Sequence, residues 1–140
     1  MEKRKSMKDI IITKFKPLFT TVITTLDCYE EDLVINGMIA APKGTLKLYQ
    51  RVVAVGDSVR SIKEGDLVLL NFQNYAVRKF KEGSLKEDMQ KMEDTIVYDF
   101  PKLFIDNKLY GKFQDRDIEG IIVDHKEVEV QTSISGNNLL

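Results

Sequence analysis

The tightest constraint on this chain is a pair of apolar runs joined by glycine turns that leave little room for a helix between them. Arg51-Val52-Val53-Ala54-Val55 stops at Gly56-Asp57-Ser58, and Ile62-Lys63-Glu64-Gly65-Asp66 feeds Leu67-Val68-Leu69-Leu70-Asn71. Short β-branched or apolar runs bounded by turn residues read as strands, and the continuously apolar second run suits a strand buried on both faces. Gly56 and Gly65 allow backbone angles that a residue with a Cβ resists, and Asp66 is placed to accept a backbone N–H and close its turn. The same vocabulary recurs. Thr20–Leu26 is rich in β-branched residues. Asn74–Lys79 alternates and is expected to pair with the 67–71 run across Phe72-Gln73. Leu103-Phe104-Ile105 and Lys108–Phe113 form a hairpin about Asp106-Asn107. The expectation is an all-β core with strands near 20–26, 51–56, 66–71, 74–79 and 108–113, burying Val22, Val53, Val55, Val68 and Leu70.

Two stretches depart from this pattern. Ser84-Leu85-Lys86-Glu87 has the form of a capping box, and Leu85, Met89, Met92 and Ile96 share one helical face, so a short helix is expected over 84–94. After His125, Val128, Val130, Thr132 and Ile134 alternate with Glu127, Glu129, Gln131 and Ser133, the pattern of an added strand with one apolar face. The chain divides into a basic N-terminal arm (1–15), a barrel (16–124, with an inserted segment at about 80–102), and a C-terminal strand and tail (125–140). Residues 1–16 carry six Lys/Arg against Glu2 and Asp9, while 115–130 carry six Asp/Glu against Arg116 and Lys126.

Over all 140 residues the net charge is −1, which excludes a nucleic-acid binder working through bulk positive charge. No apolar run approaches the ~18 residues of a membrane helix. The basic Met1–Lys8 stretch lacks the apolar core of a secretory signal. Cys28 is the single cysteine and His125 the single histidine, so there is neither a disulfide framework nor a cysteine-cluster zinc site. His125 sits in Asp124-His125-Lys126-Glu127 and reads as an exposed turn residue. Phosphate-binding, dinucleotide and zinc-protease motifs are absent. No catalytic residue, cofactor or metal is expected, and the chain reads as a non-enzyme.

Four stretches, in order, resemble the GroES-type co-chaperonins. They are Lys16-Pro17-Leu18 with Val22-Ile23; Asn36-Gly37-Met38-Ile39-Ala40-Ala41-Pro42; Val52–Gly56 with Ile62–Leu70; and Leu109–Phe113 with Asp117–Asp124. The resemblance implies a GroES-like, partly open β-barrel, here with one inserted short helix and an added C-terminal strand. It also implies unpaired edges at the first and last strands that pair between neighbours in a homo-oligomer. Only Asp57–Glu64 separates Gly56 from Gly65, so the family's roof hairpin is missing, as in roofless bacteriophage members. The third stretch alone is also similar to the barrel of zinc-dependent alcohol dehydrogenases. The chain has no Gly-His-Glu motif, no four-cysteine cluster and no room for a dinucleotide domain.

The family's mobile loop maps to 27–50, which makes Gly37, Met38, Ile39, Ala40 and Pro42 the partner-binding residues, with Met38 and Ile39 entering an apolar groove of a chaperonin ring. The plainer reading of Met38-Ile39-Ala40 is a covered edge or a small strand. The expected function is a phage-type co-chaperonin in the host cytoplasm. The alternative is a structural or auxiliary capsid protein of a virion, bonded to capsid neighbours through exposed edges.

Overall fold

The computed structural model describes residues 6–80 and 94–130. Their elements are short strands: β1 (Thr21–Thr24), β2 (Leu33–Ile35), β3 (Met38–Ala41), β4 (Tyr49–Val55), β5 (Leu67–Leu70), β6 (Ala76–Phe80), β7 (Asp94–Tyr98), β8 (Lys102–Ile105), β9 (Lys108–Gln114) and β10 (Ile118–Ile121). Single 3-10 turns at Gln73–Tyr75 and Asp115–Asp117 are the helical content among the described residues. Six strands make one antiparallel sheet in the order β10-β5-β4-β1-β9-β8, which does not close. Two hairpins, β2–β3 and β6–β7, stand apart from it.

The strands fall close to the expected ranges, but some pairings differ. β6 does not fold back on β5. The 3-10 turn at Gln73–Tyr75 redirects the chain, and β6 pairs with β7 from Ala76 opposite Tyr98 to Phe80 opposite Asp94. The helix expected over 84–94 lies outside the described residues except for Asp94, which opens β7. Ile96, assigned to that helix's apolar face, is instead a strand residue opposite Arg78. The β-branched run Thr95-Ile96-Val97 suits this extended pairing. Residues 122–130 hold no strand, and the rest of the expected C-terminal strand lies outside the described residues. The first strand is not an edge: β1 sits between β4 and β9, and the open edges are β8 and β10.

The core forms where inward faces of the sheet converge: Val22, Val52, Val68, Leu70, Phe72, Phe100 and Phe113. Val22, Val68 and Leu70 are buried as expected. Val53 is not part of this cluster, and Val55 is only half-buried against it. The cause is a bulge. Ile23 pairs with Ala54 but Thr24 pairs with Val52, so Val53 is the extra residue and the inward phase shifts across it.

The aromatic centre is dense. The rings of Phe72, Phe100 and Phe113 lie 5.1–5.8 Å apart, centroid to centroid. Tyr75 meets Phe113 edge-on at 5.9 Å and donates from its hydroxyl to Asp117 Oδ2 at 2.6 Å. The same buried oxygen accepts the Gln114 N–H at 2.9 Å, so the carboxylate is hydrogen-bonded rather than stranded.

The two turn glycines have different reasons. Gly65 takes φ +93°, and Asp66 Oδ2 accepts the Lys63 N–H at 2.8 Å, closing the turn as expected. Gly56 has no positive φ. It is needed because a Cβ there would run into the Phe19 carbonyl oxygen. Phe19 itself has φ +59° and is pinned by its N–H to Asp57 Oδ1 (2.8 Å) and by the Ser58 N–H to its carbonyl (2.9 Å).

Candidate functional site

The five residues assigned to a partner-binding loop lie at and just behind the tip of one projecting arm, built from the excursion between β1 and β4. Two apolar runs, Leu33–Ile35 and Met38–Ala41, flank Asn36-Gly37. Both turn residues take positive φ (+53° and +77°), as a tight two-residue hairpin turn requires. Strand register then puts Ile35 opposite Met38 and Val34 opposite Ile39, with a bulge before Leu33–Ala41.

The tip is apolar and uncovered. Ile35, Met38 and Ile39 are 54%, 74% and 58% exposed, and Gly37, Ala40 and Pro42 are exposed as well. The small-strand reading of Met38-Ile39-Ala40 therefore holds for the backbone. The side chains are nevertheless left bare.

Below the tip the two rails of the arm stay tied. The Asp32 carboxylate accepts the Lys43 N–H at 2.6 Å. Gly44 N–H donates to the Tyr29 carbonyl (2.8 Å), Tyr29 N–H to that of Thr45 (2.9 Å), and Lys47 N–H to that of Asp27 (3.0 Å). Cys28 and Leu46 make a bridge between them. The Lys47 ammonium lies 5.3 and 5.7 Å from the ring centroids of Tyr29 and Tyr49, within cation–π range. A groove of about 610 Å³ beside this base is lined by Leu26, Tyr29, Glu31, Leu33, Lys47 and Val130, among others.

One residue that sequence reasoning missed anchors the whole arm. Gln50, 1% exposed, uses all the hydrogen-bonding capacity its amide can readily satisfy. Its Oε1 accepts the Thr25 hydroxyl (2.9 Å) and the Asp27 N–H (2.8 Å). Its Nε2 donates to the carbonyls of Asp27 and Lys47, both at 2.9 Å. A buried side chain thus clasps the outgoing and returning rails at once. The signal was a glutamine at an inward position of a strand, where an apolar residue is the norm.

Among the described residues, neither the single histidine nor the single cysteine sits in a comparable constellation. His125 is exposed in the C-terminal segment, and Cys28 is exposed at the arm's base. Among the described residues no cluster of three His, Cys, Asp or Glu could hold a metal ion, and no helix is long and apolar enough to cross a membrane. No protein-family model matches the chain, and no curated protein sequence matches it.

Proposed function

We propose that the protein is a non-enzymatic assembly protein of the co-chaperonin kind, which docks the tip of its 27–48 arm into an apolar groove of a chaperonin ring in the host cytoplasm. The observation that carries this reading is the exposed trio Ile35, Met38 and Ile39 at the end of an arm clasped at its base. Burying each such side chain contributes about 1.5–3 kcal/mol. The clasp at the arm's base confines the cost of ordering on docking to the tip. Several copies in a homo-oligomer then convert a weak contact per subunit into a firm one. The order of the four co-chaperonin-like stretches in the sequence supports the same reading.

A substitution tests it. Ile39→Ser should abolish co-sedimentation with a chaperonin ring in the presence of nucleotide while leaving the melting temperature nearly unchanged. Wild-type protein that never binds the ring, or a variant that binds as well as wild type, overturns the proposal.

The strand pairing of β2 with β3 at the arm's tip favours a second reading, a capsid component of a bacteriophage particle. An arm held in one conformation suits a fixed contact between lattice neighbours. There Ile39→Ser weakens the lattice by about 1.5–3 kcal/mol per copy instead.

A further inference from the structure

We propose that residues 131–140 of this same chain lie along the groove at the base of the 27–48 arm and strap the arm from outside. That groove, of about 610 Å³, is lined by Leu26, Tyr29 and Leu33 of the arm and by Val130, where the described chain ends. The C-terminal segment comes to it from the edge of the sheet. It leaves β10 after the Ile122 N–H donates to the Leu67 carbonyl at 2.8 Å. Among the described residues, no backbone hydrogen bond ties 123–130 to the rest of the chain. Val123 and Val128 are 93% and 72% exposed, and exposure falls to 50% at Val130, where the segment meets the arm. Leu26 and Leu33 are only half-buried, so both keep apolar surface for an occupant to cover.

Tethering, pattern and charge select the occupant. The chain continues from Val130 directly into 131–140, so this segment meets the groove at the high effective concentration of a short linker. The basic N-terminal residues are held elsewhere, at the β8 edge, where the Asp106 N–H donates to the Ile12 carbonyl. Val130, Thr132 and Ile134 fall on one face of an extended chain, so a chain that turns Val130 to the groove turns Ile134 to it as well. Leu139 and Leu140 add further apolar surface. The rim of the groove is acidic, with Asp27, Glu30, Glu31 and Asp32 against Lys47. Such a rim repels a segment that carries carboxylate side chains, and 131–140 has no ionisable side chain. Gln50 thus holds the arm's two rails from within, and the strap covers their outer side. The inference does not depend on what the tip of the arm binds.

The chain carries its own probe. Cys28 is its one thiol and lines this groove. Alkylation of Cys28 by N-ethylmaleimide should be slow in the wild-type protein. It should be about tenfold faster in Ile134→Asp, the ratio for a cover seated about nine-tenths of the time, because the new carboxylate meets the acidic rim. Ile10→Asp, placed at the β8 edge, should leave the rate unchanged. A second variant needs no disruptive change. Oxidation of Ile134→Cys by diamide should join the introduced thiol to Cys28 within one chain. The product should run at the monomer mass of 16.1 kDa without reductant, in a yield independent of protein concentration. Ile10→Cys should form no such link. Three results overturn the proposal: equal alkylation rates in wild type and Ile134→Asp, no cross-link in Ile134→Cys, and a cross-link found only between two chains. The last would mean that the groove takes a segment of another copy.

Discussion

At the scale of single residues, two buried polar groups do the holding. Gln50 joins Thr25, Asp27 and Lys47 through one amide. Gln50→Leu keeps the volume and removes all four bonds, and should cost about 1–3 kcal/mol, since Asp27 and Lys47 are open enough for water to take part. Its signature is local: amide exchange at Asp27, Tyr29 and Lys47 should accelerate more than in the core around Val22 and Val68. Uniform acceleration would mean that Gln50 stabilises the sheet and not the arm. Tyr75 gives the second prediction. Burial, then the hydrogen bond to Asp117 and that carboxylate's charge, push its hydroxyl up from 10.0 to about 12. The folded state therefore keeps the proton that the unfolded chain gives up. This stabilisation is fully present below pH 10 and is lost as pH rises toward 12. Urea unfolding midpoints should fall across that interval and fall less in Tyr75→Phe, which is itself less stable at pH 7 because Asp117 loses a donor.

At the scale of elements, the strands were legible because their chemistry is local. The turn about Asp106-Asn107 has both residues at positive φ, and the hairpin forms where the sequence places it. Gly65 and Asp66 close their turn as the residue types require. What stayed hidden depends on register and distant partners. The bulge at Val53 exchanges which valines of β4 face inward, and no feature of Val52-Val53-Ala54-Val55 announces it. The pairing of Asn74–Lys79 is not legible locally because its partner, β7, follows a long intervening segment. The arm was readable in part. Asn-Gly between apolar runs is a strong hairpin signal, yet the residues read more readily as a loop, and the clasp by Gln50 is invisible without the fold. Gly56 gives a test at this scale. Gly56→Ala should cost about 1–3 kcal/mol, because the added methyl meets a fixed backbone oxygen of the pinned Phe19 turn. Thermal melts showing no loss would mean that the Phe19 turn yields freely.

For the whole molecule, the account joins a sheet with two open edges, an arm with a bare apolar tip, and flanking segments of opposite charge. These uncovered surfaces are the ones that the proposed assembly role would use. The tip is the part on which the proposed activity rests. Its backbone pairing weakens outward from the Gln50 clasp. Closely spaced bonds tie 27–29 to 44–47, a single side-chain contact at Asp32 follows, and a short hairpin ends the arm. Amide hydrogen exchange across 27–48, measured on the protein alone and again with a chaperonin ring and nucleotide, tests the central claim most directly. The account predicts slow exchange at Asp27, Tyr29 and Lys47 in both states. It also predicts fast exchange at Ile35–Ile39 in the free protein, becoming slow when the ring is added. Tip amides that are already slow without a partner, or that gain no protection on adding the ring, would contradict it.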